Sequence, residues 1–379
     1  MSTRIRQIEL FPIHLALHEP FIISYGTQYD IPTILLRLTT DDGLVGWGEA
    51  TPDPNVTGET FHSTMAMLEH DLAPAVIGRD VRDREGLVRA MQARVDAVPA
   101  AKAAIDIAAH DAVAKLAGLP LWALLGSQSK PHLTISRVVS IKTPEAMAAD
   151  AVQHVQDGFA TVKLKVGDWR NPHLDVARVA AVREAVGPAI GIKIDVNQGW
   201  QSPGIAIPAI RAILASNPDY IEQPVDQHDI PALAEVRRAT GAPIMADECV
   251  HGVHEMQRVV ELRAADLVNI KLMKTGGIFN AMRVNAIAEA AGIVGQVGTM
   301  VESSIASAAG LHFAMAQANI RTCEMGGPLM ISGDIGNLRS CYAGNQITLP
   351  DAAGLGVDLD VERIEATAER RIVITGRQV

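Results

Sequence analysis

The sequence predicts a closed parallel α/β barrel joined to a smaller α+β domain, and three observations predict it. From about residue 132, short apolar runs alternate with amphipathic helical segments. The apolar runs end near Ser140, Lys165, Asp195, Glu222, Asp247, Lys271, Gly298 and Glu324, and from Lys165 onward the ends recur every 24–30 residues. Eight βα units of near-equal length are what a parallel barrel needs. Second, the stretch before residue 125 is patterned differently, with strand-like runs first and helices after. Third, nearly every barrel strand ends in a charged or amide side chain, and barrels of this type carry their chemistry at the C-terminal ends of the strands. A doubly wound open sheet also alternates strand and helix. Eight near-equal units without a Gly-rich dinucleotide fingerprint argue against it.

In chain order, residues 4–11 and 33–39 read as strands separated by a long connection. Thr40-Asp-Asp-Gly43 is a hairpin turn, and Leu44-Val-Gly-Trp-Gly-Glu49 is its return strand. Helical periodicity covers residues 58–72, 82–95 and 100–117. The last of these has small residues on every face, which predicts close packing, and Gly118-Leu-Pro120 ends it. The predicted domains are residues 1–125 (α+β), 126–345 (barrel) and 346–379. The last segment carries a strand-like run at residues 371–375 and is expected to return to the first domain.

With 379 residues, 48% of them hydrophobic and 20% charged, the chain suits a barrel of ~250 residues plus a second domain and not a disordered protein. A net charge of −10 disfavours nucleic acid and anionic membranes as partners, although a local cationic pocket still admits an anionic small molecule. Cys249, Cys323 and Cys341 are odd in number and lack zinc-ligand spacing, which fits a reduced, cytoplasmic setting. The N-terminus lacks the apolar core of a signal peptide, and no apolar run approaches the ~18 residues of a membrane span.

The strand ends carry the chemistry. Lys163 and Lys165 stand two apart and so point to one face of the second barrel strand. On a sheet edge they are two solvated side chains. In a barrel interior they repel and lose hydration, at least one pKa falls, and a general base results. Asp195, Glu222 and Asp247 end the next three strands at equal depth. Three converging carboxylates require a cation, and an all-oxygen set points to Mg2+ first and Mn2+ second. Strand six ends in Lys271, across the barrel from Lys165. Two bases flanking a metal-bound carboxylate remove an α-proton on one side and return it on the other through a metal-stabilised enediolate. Lys163 would tune Lys165. Glu248 is expected to brace the ligand set near Lys271, and Asn197 to hydrogen-bond a ligand carboxylate; both equally suit capping roles. His110, His251, His254 and His312 look structural or exposed.

These residues resemble the enolase superfamily, in its muconate-lactonizing subgroup. The resemblance rests on Lys163-x-Lys165, Asp195-x-Asn197, Glu222-Gln-Pro, Asp247-Glu248 and Lys271-Leu-Met-Lys-x-Gly-Gly. It extends through Trp47-Gly-Glu49-Ala, Val56-Thr-Gly58, Gly118-Leu-Pro-Leu121 and Gly298-Thr-Met-x-Glu302-Ser. Within the subgroup the chain is most similar to the L-Ala-D/L-Glu type dipeptide epimerases. The resemblance implies a modified TIM barrel, (β/α)7β, capped by both termini. It also implies Mg2+ on Asp195, Glu222 and Asp247, Lys165 and Lys271 as the acid/base pair, and a homo-oligomer.

There are departures. Those epimerases end strand eight in Asp-x-Asp, which binds a substrate ammonium; here Glu324-Met-Gly326 lacks one carboxylate. An arginine expected near residues 20–30 for an acidic side chain is absent, with Gly26 in its place. The expected substrate contacts are Glu324, Gly298, Thr299, Met300, Tyr25 and Tyr29. Phe21 is a further candidate, and the aromatic residues equally suit the cap's own core. Loops at residues 17–32 and 51–60 should close over the barrel mouth. The resulting expectation is a racemase or epimerase of a dipeptide or N-acyl amino acid. A muconate-type cycloisomerase, an N-acylamino acid racemase/o-succinylbenzoate synthase, and a non-catalytic barrel that binds a small acid are the alternatives.

Overall fold

The structure, a computed structural model, describes residues 2–376. Its cap is an antiparallel sheet in the order Ile372–Thr375, Ile5–Ile23, Gly26–Thr40, Val45–Ala50. The tail strand lies along residues 7–10, so the C-terminal segment completes this sheet. The sequence predicts a long connection and a closing loop over residues 17–32. The structure instead runs both strands through it as one hairpin, with Ile23 opposite Gly26. Residues 17–20, Leu-His-Glu-Pro, break the apolar alternation, and the register slips between Ala16 and Phe21. Backbone pairing carries the hairpin there, and it leaves no periodic signal in the side chains.

The first helix starts later than its periodicity suggests, at Phe61, where Thr60 and Ser63 form a reciprocal capping box. It continues past residue 72 through a π turn to Val76. Helices Arg84–Arg94 and Pro99–Ala117 follow. The last lies directly on strand Val45–Ala50. A Cβ on Gly46 would fall 2.1 Å from the Ala108 carbonyl oxygen, and one on Gly48 would fall 1.9 Å from that of Ala104. The glycines of Val-Gly-Trp-Gly and the alanine-rich helix thus answer each other: neither approach is possible with a larger residue on either side.

Eight parallel strands follow: Arg137–Val139, Thr161–Lys165, Gly191–Asp195, Tyr220–Glu222, Ile244–Ala246, Leu267–Ile270, Val294–Val297 and Ile320–Cys323. Each ends at, or one residue before, the position read from the sequence. They neighbour one another in chain order, and a parallel bridge between Ile135 and Cys323 brings the two ends of the sheet together. Seven helical connections link the eight strands, which is the (β/α)7β arrangement. Three of them, Pro144–Gln156, Pro172–Val186 and Pro203–Ile213, open on a proline, whose missing N–H has no helical partner to lose there. No helix among the described residues is long and apolar enough to cross a membrane.

Strand periodicity sorts the two barrel faces. Val162, Leu164, Ile192, Ile194, Ile221, Val268 and Ile270 are buried apolar residues that alternate with Lys163, Lys165, Lys193, Asp195, Glu222 and Asn269, also buried. Parallel register aligns Lys163 with Lys193 and sets Lys165, Asp195 and Glu222 side by side.

Gly48→Ala should lower stability by about 1–3 kcal/mol, because the helix must move off the strand. The check is thermal unfolding; an unchanged Tm would show that the close approach is not required.

Candidate active site

The C-terminal ends of the strands open on a small, partly enclosed cavity. Barrel residues Lys163, Lys165, Asn197, Asn269, Lys271, Thr299, Met300 and Glu324 line it, and the hairpin tip and the following loop add Phe21, Tyr25, Gln28, Asp53 and Val56. Lys165 and Lys271 come from the second and sixth of eight strands, which face each other across a barrel.

Asp195, Glu222 and Asp247 are completely buried, and one carboxylate oxygen from each lies within 4.8 Å of the other two. Asn269 braces the group by donating to Glu222 Oε1 at 2.8 Å and Asp247 Oδ2 at 3.4 Å. Lys163 Nζ lies 3.0 Å from Asp195, 2.9 Å from Glu222 and 2.5 Å from Glu324. Lys165 Nζ donates to Asp195 Oδ2 at 2.7 Å and to Asn197 Oδ1 at 2.9 Å. Lys271 Nζ lies 2.8 Å from Asp247 Oδ2 and Lys274 Nζ 2.6 Å from Asp247 Oδ1. Both Lys271 and Lys274 are therefore turned inward, and Lys274 is fully buried.

The charges act on one another. Burial raises the Asp195 carboxyl, but Lys163 and Lys165 outweigh it and hold it at about 2. Burial likewise opposes ionisation of Asp247, and Lys271 and Lys274 carry it well below its usual value. Glu222 goes the other way: burial and the Asp195 charge push it well up against the pull of Lys163. Burial, then Asp247 and Asp195, lifts Glu248 to about 7. The sequence predicts that at least one of the Lys163–Lys165 pair falls in pKa. Lys163 does not: burial lowers its pKa, but Asp195, Glu222 and Glu324 raise it by more.

The donor set fits a hard divalent cation. All three groups are oxygen ligands, and Glu222 Oε2 and Asp247 Oδ1 are buried without a hydrogen bond of acceptable geometry, although an ammonium lies near each. Asp195, Glu222 and Asp247 could therefore hold Mg2+.

The remaining predicted residues divide. The Asn197 side chain does not reach a ligand carboxylate. It links Lys165 to Glu248 Oε1, 3.0 Å away, while its backbone N–H donates to Asp195. Tyr25 lines the cavity and donates to Asp53 Oδ2 at 3.3 Å, and the Phe21 ring stands 5.7 Å from Lys165 Nζ. Tyr29 is 71% exposed and lies outside the cavity, because the hairpin alternation turns it outward. Gly298 also stays outside: its Cβ position falls 2.3 Å from the Asn269 amide, so its role is to make room for Asn269. Glu324 lines the cavity, but its carboxylate is already engaged. It accepts from Lys163 at 2.5 Å, Ser136 at 3.0 Å, Lys193 at 3.2 Å and Tyr220 at 3.3 Å. Burial raises it, and the two lysines bring it down to about 2.

Sequence reading overlooks Lys193, Tyr220, Asn269, Gln296, Lys274 and Asp53. A signal for four of them was present: Lys193, Tyr220, Asn269 and Gln296 each stand two residues before a named strand end, hence on the same face. Lys274 and Asp53 lie beyond strands, where no period applies.

Residues 146–364 match the family model described as enolase C-terminal domain-like. Residues 5–126 match that of the mandelate racemase/muconate lactonizing enzyme N-terminal domain. The N-succinyl-L-Arg/Lys racemase of Bacillus cereus is 43% identical over 362 residues, covering 96% of this chain and 97% of that one. A crystal structure of N-succinyl Arg/Lys racemase from the same organism superposes with a TM-score of 0.96 at 42% identity, over 98% of this chain and all of that one. The L-Ala-D/L-Glu epimerase of Bacillus subtilis is 38% identical over 93% of this chain and 96% of its own. A Cytophaga hutchinsonii dipeptide epimerase, solved with Mg and the dipeptide D-Ala-L-Val, gives a TM-score of 0.93 at 33% identity over 98% of this chain and 100% of its own.

Two outcomes test the donor set. Mg2+ added to chelator-dialysed protein should raise Tm, since a ligand of the folded state stabilises it by mass action. Asp195→Asn should weaken Mg2+ binding by about tenfold or more in calorimetric titration; unchanged affinity would remove Asp195 from the ligand set.

Proposed function

The chain belongs to the mandelate racemase/muconate lactonizing enzyme family of enolase-like proteins and is an isomerase of the racemase and epimerase kind; on that premise we propose that it is a Mg2+-dependent racemase of N-acylated amino acids with basic side chains. The observation that carries the reaction is that Lys165 and Lys271 enter one cavity from strands on opposite sides of the barrel, beside three buried carboxylates. Mg2+ held by Asp195, Glu222 and Asp247 would set positive charge against the substrate carboxylate, which makes the α-proton more acidic.

The chain's own residues do the rest. Lys165 takes the proton from one face of Cα, and Lys271 delivers one to the other; reversal exchanges their roles. Asn197 and Asp195 aim Lys165, with the Phe21 ring beside it, and Asp247 aims Lys271. Lys163, held by Asp195, Glu222 and Glu324 together, serves as a fixed cation beside the ligand set.

Two features narrow the substrate. A free α-ammonium needs an uncommitted carboxylate at the end of strand eight, and Glu324 is taken by Lys163 and Lys193. That favours an acylated nitrogen over a dipeptide. Among the cap residues lining the cavity, Asp53 supplies the carboxylate, and nothing cationic stands beside it there. A basic substrate side chain suits that wall, in keeping with the N-succinyl Arg/Lys relative.

In D2O the enzyme should incorporate one deuterium at Cα of an N-succinyl basic amino acid while the composition of the substrate is otherwise unchanged; lactone formation without exchange would overturn the reading. Lys165→Ala and Lys271→Ala should each reduce racemisation by at least about 10²-fold with Mg2+ binding retained. Wild-type turnover in either variant would rule out the two-base scheme. Asp53→Asn should raise KM about tenfold for the basic substrate and hardly alter it for an N-succinyl amino acid with an apolar side chain. Equal effects on both would remove Asp53 from side-chain selection.

A further inference from the structure

We infer that Glu49, a cap residue, is a positioning residue for the reaction: it pins the loop at residues 298–303, which supplies one wall of the substrate cavity. Glu49 is the penultimate residue of the cap strand Val45–Ala50 and is fully buried. Its side chain crosses from the cap to the barrel. Oε1 accepts the Ser303 backbone N–H at 2.9 Å; Oε2 accepts the Ser303 hydroxyl at 2.7 Å and the Ala306 N–H at 3.0 Å. From the cap side, Thr33 and Thr51 hydroxyls donate to Oε1 at 3.1 and 3.2 Å. No lysine, arginine or histidine pairs with it among the described residues. Its partners are hydroxyls and the N–H groups of Ser303, the N-cap of helix Ser304–Ala316, and of Ala306 in its first turn, where the helix dipole favours a carboxylate.

The loop needs that hold. Thr299, Met300 and Val301 all line the cavity. Val301 has φ +68°, in the left-handed region that β-branched residues avoid and keep only where their surroundings over-determine the backbone. Two restraints act from within the loop: Thr299 Oγ1 accepts the Val301 N–H at 2.7 Å, and its hydroxyl donates to Glu302. Asp334 holds Ser304 from the C-terminal side, through its N–H at 3.1 Å and hydroxyl at 2.6 Å. Glu49 is the restraint that comes from the cap. It joins two sequence motifs that the proton transfer itself does not use, Trp47-Gly-Glu49-Ala and Gly298-Thr-Met-x-Glu302-Ser. The cap thereby shapes the barrel-side wall of the cavity as well as covering it.

A second cap acid provides the control. Asp106 accepts the N–H groups of Ile278 at 2.6 Å and Phe279 at 3.3 Å, at the start of the preceding barrel helix. A general loosening of the cap would disturb both helices, whereas a specific role separates them. Hydrogen exchange by mass spectrometry on the Mg2+-loaded full chain should show amide protection at residues 299–306 falling about tenfold or more in Glu49→Gln, with residues 278–285 unchanged; Asp106→Asn should do the reverse. In the racemase assay, Glu49→Gln should raise KM about tenfold with kcat altered less than about threefold, and its effect should be non-additive with Met300→Ala. Should Glu49→Gln fail to fold, Ser303→Ala, which keeps the carboxylate and removes one donor, should shift exchange and KM the same way by less. Unchanged protection at residues 299–306, loss of protection spread across the barrel, or additivity with Met300→Ala would overturn the inference. The kinetic half rests on the proposed racemase activity; a wild-type protein without turnover would refute that activity, and the exchange data would still decide the role of Glu49.

Discussion

The structure depends on charge balance in a place that water scarcely reaches. Five carboxyl groups, Asp195, Glu222, Asp247, Glu248 and Glu324, and five ammonium groups, Lys163, Lys165, Lys193, Lys271 and Lys274, are buried together at the mouth of the barrel. Any one of them alone would be untenable in a low-dielectric interior. Together they neutralise one another through short contacts, and the arrangement does not divide into independent pairs: Lys163 serves three carboxylates, and Asp247 takes two ammonium groups. Glu222, set against Asp195 and pushed far up in pKa, marks where the balance lacks positive charge. That is where a divalent cation suits the site. The charged cluster is thus a folding cost of the barrel mouth and, in the proposed reaction, the source of its reactivity.

Secondary structure makes such a cluster possible. A parallel strand sends alternate side chains to the axis, and in-register neighbours lie side by side, so Lys165, Asp195 and Glu222 are delivered to one level by backbone pairing. The outward faces are branched aliphatic residues packed under the helices. The cap is fastened by equally local means: the Gly46 and Gly48 contact with the alanine-rich helix within it, and Glu49 and Asp106 across to two barrel helices. In the proposed reaction, chemistry and selection divide accordingly. Barrel strands hold the lysines and carboxylates, while the hairpin tip and the loop after it bring Phe21, Tyr25 and Asp53 over them.

Much of this was legible in the order of residues. The eight barrel strands, the lysines, the acids and the return of the tail all follow from period and spacing, because a strand's alternation and a βα unit's length are local properties. The hairpin through residues 17–32 was not legible, since backbone hydrogen bonds hold it where the side chains lose their alternation. Tyr29 and Gly298 were misplaced for related reasons. One lies on the outward face of a hairpin whose existence was unrecognised. The other is a glycine whose importance is the Asn269 amide that its missing Cβ admits.

The sequence by itself determined which residue types stand at which strand ends, and with that the fold class and the kind of chemistry available, since both rest on periodicity and donor type. Only the tertiary structure decided which charge pairs with which. Lys193 and Ser136 claim Glu324 from elsewhere in the barrel; the Asn197 side chain turns to Lys165 and Glu248 while only its backbone N–H meets Asp195; Glu49 reaches a helix more than two hundred and fifty residues away in the chain. The physical reason is that electrostatic and hydrogen-bond energies depend on distance in space. Spacing along the chain governs only the direction in which each side chain sets out.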